Sequence, residues 1–469
     1  NMEITRDNLL LVKTAIFTYY NQCRHNMIAV EIPEQEITSG VLAFVVKAAK
    51  TGDVTYRGNR WFAKERVEKR LSLKQGDTLD QNALLNNISW LNQNPFHHTE
   101  VILSPGKING QTDLEIVTQD RVPLKIYSGG DNTGVESTGT SRLYAGATLG
   151  DLFALNAILT YQFTSNAKYH NFHSHSLNFL SYLPWQHHVS IYGGYSVIHP
   201  NITGFQNEGK NAQVSLRYKM PFQPFYTGLQ HHFFFGLDWK YVTSALFFVA
   251  ELTQPLPVSS SIVNIAQGIL GYACDYIRSQ HQASFRLELF GSPVAPLPYQ
   301  SHAAYTALRP HTSPLYLYGK LVLGDIYTLA NKVSVSALLR AQGAANALIP
   351  SEQYALGGYN TVRGYDENVF IADNAVCANF ELRSSPLTFF KKAKDELIFL
   401  AFIDYGWGYN YHAFDGIAKA ATLCGIGPGV RYTIGPSVFF RVDYGFKLRG
   451  VTFDDNRMGT WHVGGTVSY

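Results

Sequence analysis

From Val122 to the end of the chain, apolar and polar residues alternate in segment after segment, and no other feature restricts the fold as much. A period of two gives a strand with two different environments on its faces. In "PLYLYGKLVLGD" one face carries Leu315, Leu317, Leu321 and Leu323, and the other Tyr316, Tyr318, Lys320 and Gly324. "HQASFRLELFGS" sets Ala283, Phe285, Leu287 and Leu289 against Ser284, Arg286 and Glu288. "KVSVSALLRAQ" and "SVFFRVDYGF" behave alike, the latter with Val438, Phe440, Val442, Tyr444 and Phe446 against Phe439, Arg441, Asp443 and Gly445. About sixteen such segments of roughly ten residues follow one another, separated by Gly, Pro, Asn or Asp turns and without helices. A soluble β-sandwich also alternates. The unbroken series, with aromatic clusters at strand ends ("LPWQHH", "PFQPFY", "YGWGYNY"), instead predicts a 16-stranded antiparallel transmembrane β-barrel with interfacial girdles. The final strand, "TWHVGGTVSY", suits closure against the first.

Composition agrees. Charged residues make up 16% of 469 and aromatic ones 14%, where soluble domains carry about 25% charged residues. The mean hydropathy of -0.09 and the lack of a long apolar run exclude helical membrane spans, leaving a closed barrel as the membrane-spanning alternative. A net charge of +3 without a basic cluster gives no sign of a nucleic-acid partner. Cys23, Cys274, Cys377 and Cys424 lie far apart and form no CxxC motif, so neither a metal nor a redox site is expected. No signal peptide is visible in "NMEITRDNLL", and the expectation is that an export signal has been removed.

Residues 1 to about 120 follow a different pattern, that of small α+β modules. In "TRDNLLLVKTAIFTYYNQCRH", Thr5 or Asp7 can cap a helix whose apolar residues recur at helical spacing. Extended "MIAVEIP" and "GVLAFVVKA" follow. A second unit reads as strand "GDVTYRGN", helix "FAKERVEKRL", helix "LDQNALLNNISWLNQNP", then strands "TEVILSPG" and "TDLEIVTQD" joined at Asn109-Gly110. The first region shares the ending of this unit and lacks its opening strand. The expected division is 1–47, a partial first module; 48–120, a second module; and 121–469, the barrel, with a loop near 344–373 folded into it.

Few residues invite catalysis. The histidine pairs His97-His98, His187-His188 and His231-His232 point to opposite faces of a strand and cannot chelate together. "GIGPGV" at Gly425 lacks the strand–loop–helix context of a phosphate loop and reads as a strand with small residues that relieve crowding inside the barrel. No nucleophile elbow, zinc-protease motif or paired carboxylate is present, so no catalytic residue and no cofactor is expected. Two stretches stand apart. "LGGYNTVRGYDENVF" combines glycines with Val362, Arg363, Gly364 and Tyr365. In "ELIFLAFIDYGWGYN", alternation turns Phe402, Asp404 and Gly406 inward. A lumenal Asp404 needs a cationic partner to offset lost hydration. Arg363 and Arg441 both qualify on chemistry, and Arg363 offers a bidentate fork.

Together, Val362-Arg363-Gly364-Tyr365 and Phe402-x-Asp404-x-Gly406 resemble the VRGY/F tip of the sixth extracellular loop and the F-x-D-x-G motif on strand thirteen of the barrel superfamily of outer-membrane assembly and two-partner secretion proteins. That resemblance implies a loop folded into the pore with Arg363 engaging Asp404 as a latch. "IPEQEITSGVLAFVV" and "GDVTYRGNRWFAKERVEKRLSLKQGDTLDQNALLNNISWLNQNP" resemble the POTRA pair of two-partner secretion transporters, the haemolysin secretion/activation (ShlB/FhaC/HecB) family. The family's N-terminal plug helix and linker find no counterpart in residues 1–469, so Asn1 is not expected to be the native mature start, and the last residue is Tyr469 where phenylalanine is frequent.

The resemblance implies an outer-membrane translocation pore with POTRA modules in the periplasm. Its partners would be a secreted exoprotein with an N-terminal secretion domain, outer-membrane lipid and the barrel-assembly machinery. Substrate is expected near the helix bearing Leu84, Leu85, Ile88 and Leu91, although these residues mostly pack their own module. An insertase of the same superfamily, a diffusion porin and a soluble all-β enzyme or lectin are the competing readings.

Overall fold

A computed structural model of the chain describes residues 5–22, 28–36, 40–108, 110–152, 156–202, 205–224, 226, 228–248, 256–413, 418–451 and 457–469. Cys23 and Asn109 lie outside these. The chain divides into two compact units, residues 1–124 with 150–156, and 125–149 with 157–469.

In the first unit, helix α1 (Arg6–Gln22) is capped by Thr5, whose hydroxyl accepts from the Asn8 N–H. Strands β1 (Ile28–Glu31) and β2 (Val45–Ala48) pair antiparallel. Then come β3 (Lys50–Arg57), α2 (Lys64–Leu71), α3 (Gln81–Leu91), β4 (His97–Pro105) and β5 (Gln111–Asp120), the order the sequence pattern predicts. The sheet order is β3-β5-β4. Asp80 caps α3, its carboxylate accepting from the Asn82 and Ala83 N–H groups. The apolar stripes of both helices supply the core, with Phe62, Val67, Leu71, Leu84, Ile88, Leu91, Leu114 and Ile116 all buried. Each such side chain contributes about 1.5–3 kcal/mol by leaving water.

The second unit is a closed antiparallel barrel. Its strands, sixteen over the described residues, are β6 (Leu124–Asp131), β7 (Arg142–Leu149), β8 (Ala157–Ser165), β9 (Phe172–Tyr182), β10 (His188–Ile198), β12 (Phe205–Phe222), which forms a hairpin with the two-residue β11 (Asn201–Ile202), β13 (Leu229–Phe248), β14 (Leu256–Ile277), β15 (His281–Ser292), β16 (Tyr316–Thr328), β17 (Ser334–Ala344), β20 (Asn374–Arg383), β21 (Asp395–Tyr409), β22 (Ala420–Ile434), β23 (Val438–Lys447) and β24 (Gly459–Ser468). β24 pairs with β6 and closes the ring, and Tyr469 and Ile126 exchange backbone hydrogen bonds beyond the last strand pair. Closure matters because every strand then has two neighbours and no backbone edge faces outward. Leu216, Leu237, Leu270, Leu289, Leu317, Phe399, Ile403 and Val442 project from the outer face. Among the described residues no helix is long and apolar enough to cross a membrane.

One expectation fails here. The barrel region does contain a helix, α4 (His302–Leu308), in the connection between β15 and β16, capped by Ser301. Seven residues make about two turns, too few to register as a helical period.

The connection between β17 and β20, the eleventh and twelfth barrel strands, is folded inward. It carries its own hairpin, β18 (Tyr354–Leu356) with β19 (Phe370–Ala372). Leu356, Val362, Tyr365, Phe370 and Ala372 bury themselves against Ala375, Cys377, Ala421 and Leu423 of the wall.

Candidate functional site

The tip of this loop is built around Arg363, which is 3% exposed. Its Nε and Nη2 donate to the two carboxylate oxygens of Asp404 at 2.7 and 2.9 Å, and its backbone N–H adds a third bond at 3.1 Å. Asp404 lies on β21, and the register sets Asn379 of β20 directly opposite it. Asn379 Nδ2 donates to Asp404 at 2.8 Å and to the Thr361 carbonyl at 2.6 Å, tying the wall to the loop twice. The remaining guanidinium nitrogen, Nη1, donates to Glu381 at 2.7 Å. Phe402 lies under the guanidinium, 3.5 Å from its carbon to the ring centroid. The charge therefore has a partner on every side, as a buried arginine requires.

The backbone approach that permits this depends on missing side chains. Gly364 sits at φ +99°, a region L-residues avoid, and its N–H donates to Nε2 of His462 at 3.1 Å. Opposite Asp404 on β22, Gly425 leaves room for the Arg363 carbonyl, which a Cβ there would strike. Gly406 faces the Val362 side chain at a similarly short range. "GIGPGV" is thus a strand that makes space, as its sequence indicates. Tyr365 finishes the tip: its hydroxyl lies 2.5 Å from the Arg449 carbonyl oxygen and accepts from the Cys424 N–H at 3.1 Å.

The structure therefore brings Val362, Arg363, Gly364, Tyr365, Phe402, Asp404 and Gly406 into one place. Arg441, the competing partner for Asp404, is elsewhere. Its guanidinium carbon lies 3.5 Å from the Tyr359 ring centroid, and its nearest carboxylate is Asp131 at 3.7 Å. Leu84, Ile88 and Leu91 are buried within their own module. Leu85, 48% exposed, is the one member of that set open to solvent. Among the described residues no group of His, Cys, Asp and Glu could hold a metal ion.

Sequence reasoning missed Asn379, Glu381 and His462 around the tip. Alternation on β20 places Asn379 and Glu381 on one face, but nothing local says what they meet. It also missed the foot of the loop. There Arg309, from the connection after α4, grips Asp373 through Nη1 and Nη2 at 2.5 and 2.9 Å, with Asn410 and the Leu348 carbonyl completing the cluster.

A sixteen-stranded closed antiparallel barrel with an arginine-tipped loop pinned inside it against an F-x-D-x-G strand defines the class of large outer-membrane β-barrels. Residues 110–223 and 318–432 match the model of the haemolysin secretion/activation protein family ShlB/FhaC/HecB, and the resemblance read from the motifs holds. The family is one of two-partner secretion transporters. In fold, the chain is similar to CdiB from Escherichia coli (TM-score 0.82, 16% identity, 99% of this chain and 85% of that one). It is also similar to CdiB from Acinetobacter baumannii (TM-score 0.73, 15% identity, 99% and 82%). BamA from Haemophilus ducreyi lacking POTRA domains 1–3 superposes less well (TM-score 0.56, 12% identity, 100% and 94%). No curated protein matches the chain in sequence.

Proposed function

We propose that this protein is the outer-membrane pore of a two-partner secretion pair, taking an unfolded exoprotein from the periplasm and passing it through the barrel. The observation that carries the reading is the inward loop fixed by Arg363 and Asp404 in a barrel of this family. Residues 1–47 would be a partial POTRA module, 48–120 a complete one, and 121–469 the barrel, inserted by the barrel-assembly machinery into outer-membrane lipid. No nucleotide motif offers an energy source, so folding of the exoprotein outside gives transport its direction.

The second module supplies a place for capture. β5 is central in its sheet and β4 is an edge. On the outward side of β4, the Asn92 side chain occupies both the N–H and the C=O of Thr99, at 2.7 and 2.9 Å. By alternation, the groups of Val101 and Leu103 point the same way, and Ile102 and Leu103 are exposed beside them. An extended substrate adding a strand here would use main-chain bonds that tolerate many sequences, and Leu85 would be the residue of α3 within its reach.

In this reading Arg363–Asp404 is a latch that holds the loop in the assembly-competent pose from which transport starts. The test is secretion of an exoprotein bearing an N-terminal two-partner secretion domain, in a strain lacking the natural copy of this chain. Arg363→Ala is expected to reduce surface exoprotein while the barrel remains folded in the outer membrane. Secretion at the natural level by both Arg363→Ala and Asp404→Ala would remove the role. Steady conductance that survives deletion of residues 1–120, without any secretion, would identify a diffusion porin instead.

A further inference from the structure

The stem of the inward loop is held as firmly as its tip, and on a different part of the wall. Glu352, only 2% exposed, ends a turn that its own N–H closes on the Ile349 carbonyl at 2.9 Å. Its carboxylate accepts from Lys240 Nζ at 2.6 Å, from the Tyr318 hydroxyl at 2.7 Å and from Gln267 Nε2 at 3.3 Å. These donors come from β13, β16 and β14, the seventh, tenth and eighth strands of the ring. Gln267 is itself oriented by the Tyr316 hydroxyl, which donates to its Oε1 at 2.7 Å. Beside Glu352, Leu348 and Ile349 pack on Val263, Ile265, Ile269, Phe290 and Tyr316 of that wall and on Tyr305 of α4.

The tip is fastened elsewhere. Its partners Glu381, Asp404 and His462 lie on the twelfth, thirteenth and sixteenth strands, so five to eight strands of the sixteen separate Lys240 and Gln267 from Asp404 and His462. The loop is thus fastened to two separate stretches of the wall. A buried carboxylate needs donors in place of the water it has lost, and Glu352 has three from the wall.

We infer that Glu352 is a second catch of the inward loop, a positioning residue whose release, together with that of Arg363, is required before the lumen clears. Lys240 is its principal partner, and Tyr318 and Gln267 fix the carboxylate between them. The bonds at the two ends share no residue, so releasing the tip leaves the stem still held by the wall. The geometry stands by itself, while its bearing on export rests on the transport reading above.

The test is steady conductance of the full chain in planar lipid bilayers, with folding of each barrel checked by its heat-modifiable migration on gels. Arg363→Ala alone is expected to leave conductance near the natural level. Arg363→Ala combined with Glu352→Gln is expected to raise it several-fold, and Arg363→Ala with Lys240→Met should do the same from the wall side if the first combination does not fold. In the Arg363→Ala background, Glu352→Lys with Lys240→Glu should bring conductance back down, which a merely destabilised loop would not do. Equal conductance in Arg363→Ala and either combination would overturn the inference. If conductance follows this order while secretion is indifferent to every variant, the catch stands and the transport reading fails.

Discussion

Removing the Asp404 carboxylate probes the tip most directly. In Asp404→Ala the guanidinium of Arg363 loses two charge-assisted bonds and its backbone N–H loses a third, while Asn379 loses one of its two acceptors. Deleting one partner of a buried ion pair costs about 3–5 kcal/mol because the survivor stays buried. Here Glu381 still holds Nη1 at 2.7 Å and Asp443 stands 3.9 Å away, which puts the cost at the lower end. About 3 kcal/mol corresponds to roughly a hundredfold shift in the ratio of docked to undocked tip. The assay is thiol labelling of a Val362→Cys reporter in outer-membrane fractions, with Cys23, Cys274, Cys377 and Cys424 first changed to serine. Val362 is fully buried beside Gly406, so only an undocked tip reacts. Labelling should accelerate about a hundredfold in Asp404→Ala, and less in Glu381→Ala, because Glu381 makes one bond to Arg363 and is shared with Arg383. An unchanged rate in Asp404→Ala, or a larger effect from Glu381→Ala, would refute the reasoning.

Gly425→Ala should undock the same tip, since its new methyl meets the Arg363 carbonyl and both are fixed in backbone; Gly343→Ala, where a Cβ has open space, serves as the control and should leave Val362→Cys labelling unchanged. In the first unit, burial beside Phe62, reinforced by Arg66, pushes the pKa of His97 down to about 4. The folded state therefore keeps His97 neutral while the unfolded chain takes up a proton below its ordinary value of about 6.5, so stability falls as pH drops from there towards 4. At pH 5 the loss is about 2 kcal/mol, readable as faster hydrogen exchange of α3 amides in the full chain after correction for intrinsic rates. His97→Phe should abolish the difference between pH 7 and pH 5, and an equal difference in that variant would exclude His97 as its source.

The barrel was legible because its signal is local and repeated. Leu315, Leu317, Tyr316 and Tyr318 report their faces through a period of two that survives any tertiary arrangement. Helix α3 was legible for the same reason, though which of its leucines stayed accessible depended on the sheet packed below it. Leu84 and Leu85 are adjacent and equally apolar, yet only Leu85 faces water. Helix α4 was hidden by its length. Asn379 and Glu381 were visible as inward residues of a strand but not as partners of Arg363, since that depends on the β20–β21 register.

By itself, then, the sequence determined the alternation of faces, the turns between strands, the glycines that allow close approach, and the two motifs that name the family. These follow from interactions between residues near one another in the chain. The tertiary structure decided which inward charges meet. Arg363 and Arg441 are chemically equivalent candidates for Asp404, and only closure of the ring and the path of the loop separate them. Glu352 shows the same limit more sharply: its partner Lys240 lies more than a hundred residues earlier in the chain. No local pattern encodes that pairing, because it exists only once sixteen strands have closed around the loop.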